Sequence, residues 1–494
     1  MSSPLLLLGA VAAAAAAAAT PSISSELFRS TEVRLAFAAS DTNPWAITNC
    51  TARVLGPASS RHAAMVLPLF FDGAVPPSQG LPSHWSSSHW SFAFRLTPDV
   101  VGTWSWTLAC APLQLANESA SGSITVSAAP SGRRPGRGGA VASRLNPQQF
   151  EREDGGRWTP LGYEIDWLWA LGMNESVTTI APVEDALGVL AGYGFNHLLV
   201  SLYANHSGWN QALPKAPPHI YWAEQVENTP WETMADRSRL NLRFLRHWDQ
   251  VLDAADARDV VIHLMHYVGN KNVAWPEKLS GDDDIYWRNV LARYAAHPAV
   301  IIDVSKEAAS YGVGAPYILN RLQLIHESNA HMRLVTAHSG LSWSEKCAGC
   351  GLTMLSTQTH LENQTSGGFY SNVRKIMDAN PTTPVANVEF MYVEGRRERC
   401  SVLCCIVLCC VVLRCAVLCC AVLCCALCCH SAHRRFRSTR AIIIIHTHSD
   451  HCVVGRTRRS ASRTLITFNA ATKGTRTRTI IISPSYTTLT HWTH

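Results

Sequence analysis

Positive charge is scarce in the main part of this sequence. The first 399 of its 494 residues hold 30 Lys and Arg against 35 Asp and Glu, and this slightly acidic balance gives no support to nucleic-acid binding. Charged residues make up only 16% of the chain and hydrophobic residues 47%, a composition that excludes a mainly disordered protein. The length allows about two to four domains.

Several enzyme motifs are also missing. The sequence has no phosphate-binding glycine loop and no Gly-x-Ser-x-Gly elbow. His263 and His266 are three residues apart on a predicted strand, so they point to opposite faces and not to one metal ion. Asp282–Asp284 lacks the ligand spacing and the closing Glu of a calcium loop, and a helix N-terminus suits it better. We therefore predict neither a metal site nor a cofactor.

Cysteine is rare before residue 400, where only four of the 17 occur, whereas twelve lie between Cys400 and Cys429. Those twelve belong to a Val-Leu-Cys-Cys repeat with a period near five, which gives no constant face to a helix or a strand. Residues 400–494 also hold 12 Lys and Arg against one Asp. We interpret this tail as a gene-model artefact. The alternative is a membrane anchor, since the apolar segment 400–429 is long enough to span a bilayer.

The first 24 residues are predicted to be a signal peptide. Residues 5–19 form a short apolar run that ends in alanines, followed by Thr20 and Pro21, although no basic residue precedes it. The alternative is an alanine-rich leader without a targeting role. We expect a secreted protein, and five N-x-S/T sequons are compatible with a glycoprotein: Asn49, Asn117, Asn174, Asn205 and Asn363.

Residues 25–130 are predicted to form a β-sandwich. Trp90–Thr97 and Thr103–Leu108 alternate apolar and polar residues on either side of a Pro-Asp turn. Three further segments have strand-like patterns: Val33–Ala38, Met65–Phe71 and Gly122–Ser127. Cys50 and Cys110 would form a disulfide in an oxidising compartment, or else remain two buried thiols. The Pro-, Gly- and Arg-rich start of residues 131–149 predicts a linker.

Residues 150–399 alternate short apolar strands with helices, a pattern that indicates a parallel sheet. Seven strands are predicted, at Gly162–Asp166, His197–Leu202, Val260–Tyr267, Ala299–Val304, Leu334–Ala337, Met354–Thr357 and Val385–Glu389. Helices are predicted at Val183–Tyr193, Leu240–Arg258, Ile285–Ala296, Tyr317–Ser328 and Tyr370–Asn380. The spacing fits a TIM-type (β/α)₈ barrel. Its eighth strand would fall after residue 400, where the sequence changes, so we expect a barrel that is incomplete at strand eight.

Two of the predicted strands end in a glutamate. Glu307 follows one apolar strand and Glu389 ends another, 82 residues later. The carboxyl ends of barrel strands form the active face, and retaining glycoside hydrolysis uses two carboxyl groups about 5 Å apart. Glu307 and Glu389 are therefore candidate catalytic residues. The alternative is a pair of helix-capping or surface carboxylates.

The motifs around these glutamates resemble those of glycoside hydrolases. The segment YWRNVLARYAAHPAVIIDVSKEA resembles the strand-four motif of the clan that includes glycoside hydrolase family 5, and PVANVEF resembles its strand-seven motif. The resemblance implies that Glu307 is the general acid/base and Glu389 the nucleophile. Many clan members have Asn before the acid/base, where this sequence has Lys306.

The segments LFFDG and FRLTPDVVGTWSWTLA resemble the immunoglobulin-like module that precedes such barrels in many bacterial proteins. Other residues that follow predicted strands are candidates for binding a sugar, because aromatic rings stack on sugar faces and polar side chains bind hydroxyl groups. They are Asp166, Trp169, Tyr203, His206, Trp209, His266, His338 and His360. The alternative role of each is loop or core packing.

The sequence as a whole therefore predicts a retaining glycoside hydrolase that acts on a poly- or oligosaccharide. One alternative is a non-catalytic carbohydrate-binding or cell-surface protein on a degenerate barrel. Another, a membrane-anchored structural protein, requires that the tail be genuine.

N-terminal sequencing of material secreted by expressing cells tests the signal peptide. We expect the secreted chain to begin near residue 25, because signal peptidase removes the apolar leader. Secreted protein that keeps Met1 would contradict this prediction.

Overall fold

A computed structural model describes most of the chain up to residue 389 and short segments of the tail. The described residues are 22–40, 42–74, 89–110, 120–131, 136–173, 179–204, 228–269, 273–307, 313–338, 351–358 and 366–389, with five strands after residue 443. Residues 1–21, the segment 400–429 and any eighth barrel strand lie outside them.

The N-terminal domain contains two sheets. Its strands are β1 (Ser22–Glu26), β2 (Thr31–Ala38), β3 (Thr51–Leu55), β4 (Ala64–Pro68), β5 (Phe70–Ala74), β6 (His89–Leu96), β7 (Gly102–Ala109) and β8 (Ser121–Ser127). One sheet has the order β1-β8-β7-β3-β4 and the other β2-β6-β5. The predicted single strand at 65–71 is thus two strands in different sheets. The immunoglobulin-like topology stays a prediction.

Alternating large side chains fill the core of this domain. Trp104 and Trp106 point inward from β7, and Phe94 of β6 meets Trp106 edge-on with ring centroids 5.7 Å apart. Gly122 of β8 allows this packing, because an added Cβ would lie 2.3 Å from the Trp106 ring. The period-2 pattern therefore identified the buried face of β7 correctly.

The predicted disulfide between Cys50 and Cys110 is present. Its position follows from the register of β3 and β7, which pairs Thr51 with Ala109 and so brings the two flanking cysteines together. Strand β1 begins at Ser22, within the range predicted as signal peptide. A cleavage after residue 24 would remove part of this strand, so an intact β1 requires cleavage before Ser22.

The segment predicted as a linker contains regular structure. Strands β9 (Ala140–Ala142) and β10 (Phe150–Arg152) pair as an antiparallel hairpin. Phe150 is buried against Trp158, with ring centroids 5.6 Å apart. The hairpin therefore contributes to the core that fills the barrel.

The next domain alternates strands and helices in the order predicted. Its strands are β11 (Gly162–Glu164), β12 (His197–Ser201), β13 (Val261–Met265), β14 (Val300–Lys306), β15 (Val335–His338), β16 (Leu355–Gln358) and β17 (Val385–Glu389). Its helices are α1 (Ala181–Gly192), α2 (Leu242–Asp256), α3 (Gly281–Tyr294), α4 (Ala315–Ser328) and α5 (Ser366–Ala379). Strands β11 to β15 form one parallel sheet and β16 pairs in parallel with β17.

Both faces of these strands are buried. Leu199, Val261 and Ile301 belong to an inner cluster, whereas their neighbours Leu198 and Ile262 pack in the outer layer with the helices. Burial on both faces explains why the strands have continuous apolar runs and no alternation. The Ser280 side chain caps α3 and Asp282–Asp284 occupy its first turn, where carboxylates interact favourably with the helix dipole.

A buried ionic network joins the N-terminal domain to the barrel helices. Arg95 of β6 contacts Glu32 at 2.7 Å and Asp249 of α2 at 2.7 Å. Arg293 of α3 contacts Asp249 at 2.5 Å and Asp72 of β5 at 3.1 Å. Burial lowers the pKa of Arg293, but the charge and hydrogen bonds of Asp249, with a smaller contribution from Tyr294, together outweigh this effect and raise the pKa. The network fixes the two domains against each other through matched charges.

Five strands of the tail are described, and they belong to a second compact unit. They are β18 (Ile444–His446), β19 (His451–Val454), β20 (Arg459–Ser460), β21 (Arg463–Asn469) and β22 (Arg478–Ile482). They form one sheet of order β18-β19-β21-β20, with β22 also on β21. None of the helices in the described part of the chain has the length and apolar character of a membrane span.

We expect Arg293→Met to lower the free energy of unfolding by about 3 kcal/mol, because it leaves the buried carboxylate of Asp72 and the partly buried carboxylate of Asp249 without their shared cation. Chemical denaturation measures this change. Arg34→Met is the matched control. Arg34 also contacts Asp72, at 3.3 Å, but its side chain is 62% exposed, so we expect a loss below about 1 kcal/mol. Equal losses in the two variants would contradict the account.

Candidate active site

The backbone changes direction where β14 ends. Pairing of β14 with β15 shifts between Asp303 and Lys306, and Glu307 has a φ of 53°, in the left-handed region that non-glycine residues rarely adopt. The Glu307 N–H donates to the carbonyl oxygen of His338 at 2.6 Å. The fold therefore holds Glu307 at the carboxyl-terminal rim of the barrel in an uncommon conformation, which often accompanies function.

A glutamine links Glu307 to the strand that carries Glu389. The Gln358 Nε2 atom at the end of β16 donates to Glu307 Oε1 at 2.9 Å. The register of β16 and β17 pairs Gln358 with Glu389, after a shift that follows Thr357. The backbone of Glu389 thus lies beside the residue that binds the Glu307 carboxylate. The two predicted catalytic positions are brought to the same rim.

A buried ion pair adjoins Glu307. The Lys306 ammonium binds the Glu164 carboxylate at the end of β11, although β11 and β14 are not neighbours in the sheet. The Lys306 side chain is buried, and its backbone N–H donates to the Tyr267 carbonyl oxygen at 2.9 Å. The residue that stands in place of the clan's Asn therefore spans the mouth of the barrel to a carboxylate.

Below this rim, the barrel interior holds a chain of polar side chains. Asp303 Oδ2 lies 2.7 Å from His263 Nε2, and His263 Nδ1 lies 3.2 Å from His197 Nε2. Burial, with a smaller contribution from the charge of His263, lowers the pKa of His197 well below its usual value. His197 is therefore neutral near pH 7 and can donate one ring proton to His263. Within the described residues, no group of three or more His, Cys, Asp or Glu side chains could hold a metal ion.

Two of the aromatic residues predicted to bind sugar are buried in packing contacts. Trp169 lies 5.7 Å from Tyr203 and 5.3 Å from Phe244 of α2, measured between ring centroids. Tyr203 also packs edge-on against Trp231. Trp169 and Tyr203 are 0% and 2% exposed, so neither ring has an open face to offer a sugar. The packing alternative fits these two residues better.

The other described binding candidates differ in position. Asp166 is buried and accepts a hydrogen bond from Ser201 Oγ at 2.8 Å. His266 stacks on Trp287 of α3, with ring centroids 5.1 Å apart, and so belongs to the contact between strand and helix. His338 lies next to the polar side chains inside the barrel, with its Nδ1 atom 3.9 Å from Asp303 Oδ2. His206, Trp209 and His360 lie outside the described residues.

Three residues of the site were not predicted from the sequence: Glu164, Asp303 and Gln358. Glu164 and Gln358 each end a barrel strand, so the strand-end criterion that selected Glu307 applies to them as well. Asp303 is the one acidic residue within the apolar run from Ala299 to Val304. A carboxylate in a strand that is buried on both faces signals a specific partner, because an unpaired buried charge is costly.

Stability should depend on pH through the buried histidines. Burial lowers the pKa of His266 to about 4. Below pH 6.5 the unfolded chain binds a proton at His266 that the folded chain does not bind. The free energy of unfolding therefore decreases as the pH is lowered from about 6.5 to about 4. We expect this group to cost roughly 2 kcal/mol between pH 7 and pH 5. Denaturant unfolding of His266→Phe should show that much less dependence on pH.

Thr336→Val is the control, because it alters a buried barrel residue without removing a titrating group. Its pH dependence should match that of the unmodified chain. An unchanged pH dependence in His266→Phe would contradict the assignment.

The comparisons with known proteins agree with this geometry. Residues 165–403 match the family model described as "Apiosidase-like, catalytic domain", a range that begins directly after β11 and contains both Glu307 and Glu389. No curated protein matches the chain.

Among solved structures, a glycoside hydrolase candidate from Bacteroides vulgatus is 16% identical with a TM-score of 0.53, covering 74% of this chain and 64% of that one. A family 5 glycoside hydrolase from the same organism is 15% identical with a TM-score of 0.35, covering 52% and 54%. A family 5 mannosidase from Rhizomucor miehei is 13% identical with a TM-score of 0.37, covering 51% and 73%.

Only the first of these likenesses is strong enough to show a shared fold, and the chain spans about 64% of that relative's length. The family match and the shared fold confirm the resemblance that the strand-four and strand-seven motifs predicted. The barrel-forming part of this chain is similar to the catalytic domains of glycoside hydrolases.

Proposed function

We propose that this protein is a retaining glycoside hydrolase that cleaves O-glycosidic bonds of an oligo- or polysaccharide. Glu389 is the nucleophile and Glu307 is the general acid/base. The contact that carries the proposal is the hydrogen bond from Gln358 to Glu307, because Gln358 is also the strand partner of Glu389. A pair of carboxylates at one rim is what double displacement requires.

The reaction has two steps. In the first, the Glu389 carboxylate attacks the anomeric carbon and forms a glycosyl ester, while Glu307 gives its proton to the leaving oxygen. In the second, Glu307 removes a proton from water, and that water attacks the anomeric carbon and releases Glu389. The side chain of Gln358 holds Glu307 through one oxygen, Oε1. Such a contact orients the carboxyl group for both proton transfers.

The Lys306–Glu164 ion pair gives the site a feature of its own. In the clan that this barrel resembles, Asn at the position of Lys306 contacts a substrate hydroxyl group. Here the ammonium is engaged by Glu164, and the Glu164 side chain retains 18% exposure. We propose that Glu164 takes over the contact with a sugar hydroxyl group, with Lys306 holding its carboxylate in place.

The substrate remains to be found by screening. Because the matched family model is described as apiosidase-like, an apioside belongs in the panel together with aryl glycosides and polysaccharides. Binding of a glycan without any hydrolysis would favour the non-catalytic carbohydrate-binding alternative.

We expect Glu307→Gln and Glu389→Gln each to lower kcat by at least about 1000-fold without unfolding the protein, because each removes one of the two groups that the chemistry needs. Hydrolysis rates and thermal unfolding of purified variants measure the two effects. Added azide should restore turnover of an activated aryl glycoside in Glu389→Ala, since a small anion can attack from the space that the missing carboxylate leaves.

Glu327→Gln is a suitable control, because Glu327 lies on α4, away from the strand ends, and contacts Gln323 at the surface. Its activity should equal that of the unmodified enzyme. Full activity in either rim variant would refute the catalytic assignment.

A further inference from the structure

We infer that Asp303 is a positioning residue that sets the conformation of Glu307, an inference that rests on the proposed function. Asp303 lies four residues before Glu307 on β14 and is completely buried in the barrel interior. It does not meet the substrate. It acts through the backbone that leads to the acid/base.

The first step is the pair of backbone contacts of Asp303. Its Oδ1 atom accepts hydrogen bonds from the N–H of Ser305 at 2.9 Å and from the N–H of His338 at 3.1 Å. Ser305 lies inside the register shift between Asp303 and Lys306, where the ladder of β14 and β15 is interrupted. Asp303 thus supplies an acceptor to N–H groups at the bulge that the interrupted ladder would leave unsatisfied.

The second step connects these contacts to Glu307. His338, which Asp303 holds by its N–H, accepts the hydrogen bond from the Glu307 N–H through its carbonyl oxygen at 2.6 Å. Both ends of the short segment 303–307 are therefore anchored to the same residue of β15. This double anchor stabilises the left-handed backbone of Glu307, which costs an L-residue about 1 kcal/mol or more.

The third step is the orientation of the Asp303 carboxylate. His263 Nε2 holds Oδ2 at 2.7 Å, and His197 Nε2 holds His263 Nδ1 at 3.2 Å. Every contact is satisfied when His197 donates to His263 and His263 donates to Asp303. The carboxylate is the acceptor at the end of this chain. Hydrogen bonds from three sides therefore leave Asp303 a single orientation.

A role in positioning the acid makes a chemical prediction that a role in stability alone does not. Protonation by Glu307 is needed most when the leaving group is a poor one, such as a sugar, and least when it is an acidic phenol. Misplacement of Glu307 should therefore slow the hydrolysis of natural glycosides far more than that of activated aryl glycosides. A general loss of folded protein would lower both rates by the same factor.

The test compares Asp303→Ala with Asp303→Asn on the two kinds of substrate. We expect Asp303→Ala to lower kcat on an unactivated glycoside by about 100-fold, and on a dinitrophenyl glycoside by less than about 10-fold, with little change in KM. Asp303→Asn should recover most of the loss, because an amide oxygen can still accept from Ser305 and His338. Equal losses on both substrates would overturn the inference.

Two further variants keep the test decisive. His263→Leu keeps the Asp303 residue but removes the ring that orients its carboxylate. It should lower kcat on the unactivated glycoside about 10-fold more than on the activated one, even if Asp303→Ala does not fold. Asp249→Asn is the matched control, since it alters a partly buried carboxylate at the domain interface, and it should affect both substrates equally.

A crystal structure of Asp303→Asn and of His263→Leu separates this inference from the proposed function. In His263→Leu we expect the Glu307 backbone to leave the left-handed region, and in Asp303→Asn to keep it. An unmoved Glu307 in His263→Leu would refute the positioning role whether or not the protein hydrolyses any glycoside. Absence of hydrolysis by the unmodified protein would refute the proposed function alone.

Discussion

The structure depends on how the end of β14 is held. Strand β14 lies between β13 and β15 in the described sheet, and its last residues leave the regular ladder to present Glu307 at the rim. A buried carboxylate makes this possible. Asp303 accepts hydrogen bonds from backbone N–H groups that the bulge would otherwise leave without a partner in a low-dielectric interior. His263 binds this carboxylate, and His197 binds His263 in turn. A polar chain inside the barrel thus supports a strained residue at its mouth.

Carboxylates at the rim and at the domain interface are stabilised by different kinds of partner. At the interface, Arg95 and Arg293 share the Asp249 carboxylate, and formal charges meet with several hydrogen bonds each. At the rim, one cation, Lys306, meets Glu164, while Glu307 is bound by a neutral amide. The ion pairs stabilise the packing of the two domains, whereas the Gln358 amide orients the Glu307 carboxyl group.

Much of the fold could be predicted because it is recorded in local patterns. The seven barrel strands and the helices between them follow continuous apolar runs and caps, and β7 follows strict alternation. Strands β1 and β3 were missed because SISSE and TARVL are short and carry little apolar contrast. The hairpin of β9 and β10 was missed because the glycines and arginines that precede it resemble a linker, although burial of Phe150 and Trp158 gives it a core.

The site was predictable only where one residue carries the signal. Glu307 and Glu389 could be selected because each ends a strand within a motif. The Lys306–Glu164 pair and the Gln358 contact join residues about 140 and 50 positions apart, a relation that a single sequence does not record. The sequence left two roles open for Trp169 and Tyr203, because an aromatic residue after a strand looks the same whether it lines a cleft or packs on a helix. The measurement that tests the central claim most directly is the configuration of the first sugar released, followed by NMR during hydrolysis of a glycoside. Paired action of Glu307 and Glu389 at one rim predicts retention at the anomeric carbon, whereas inversion would contradict it.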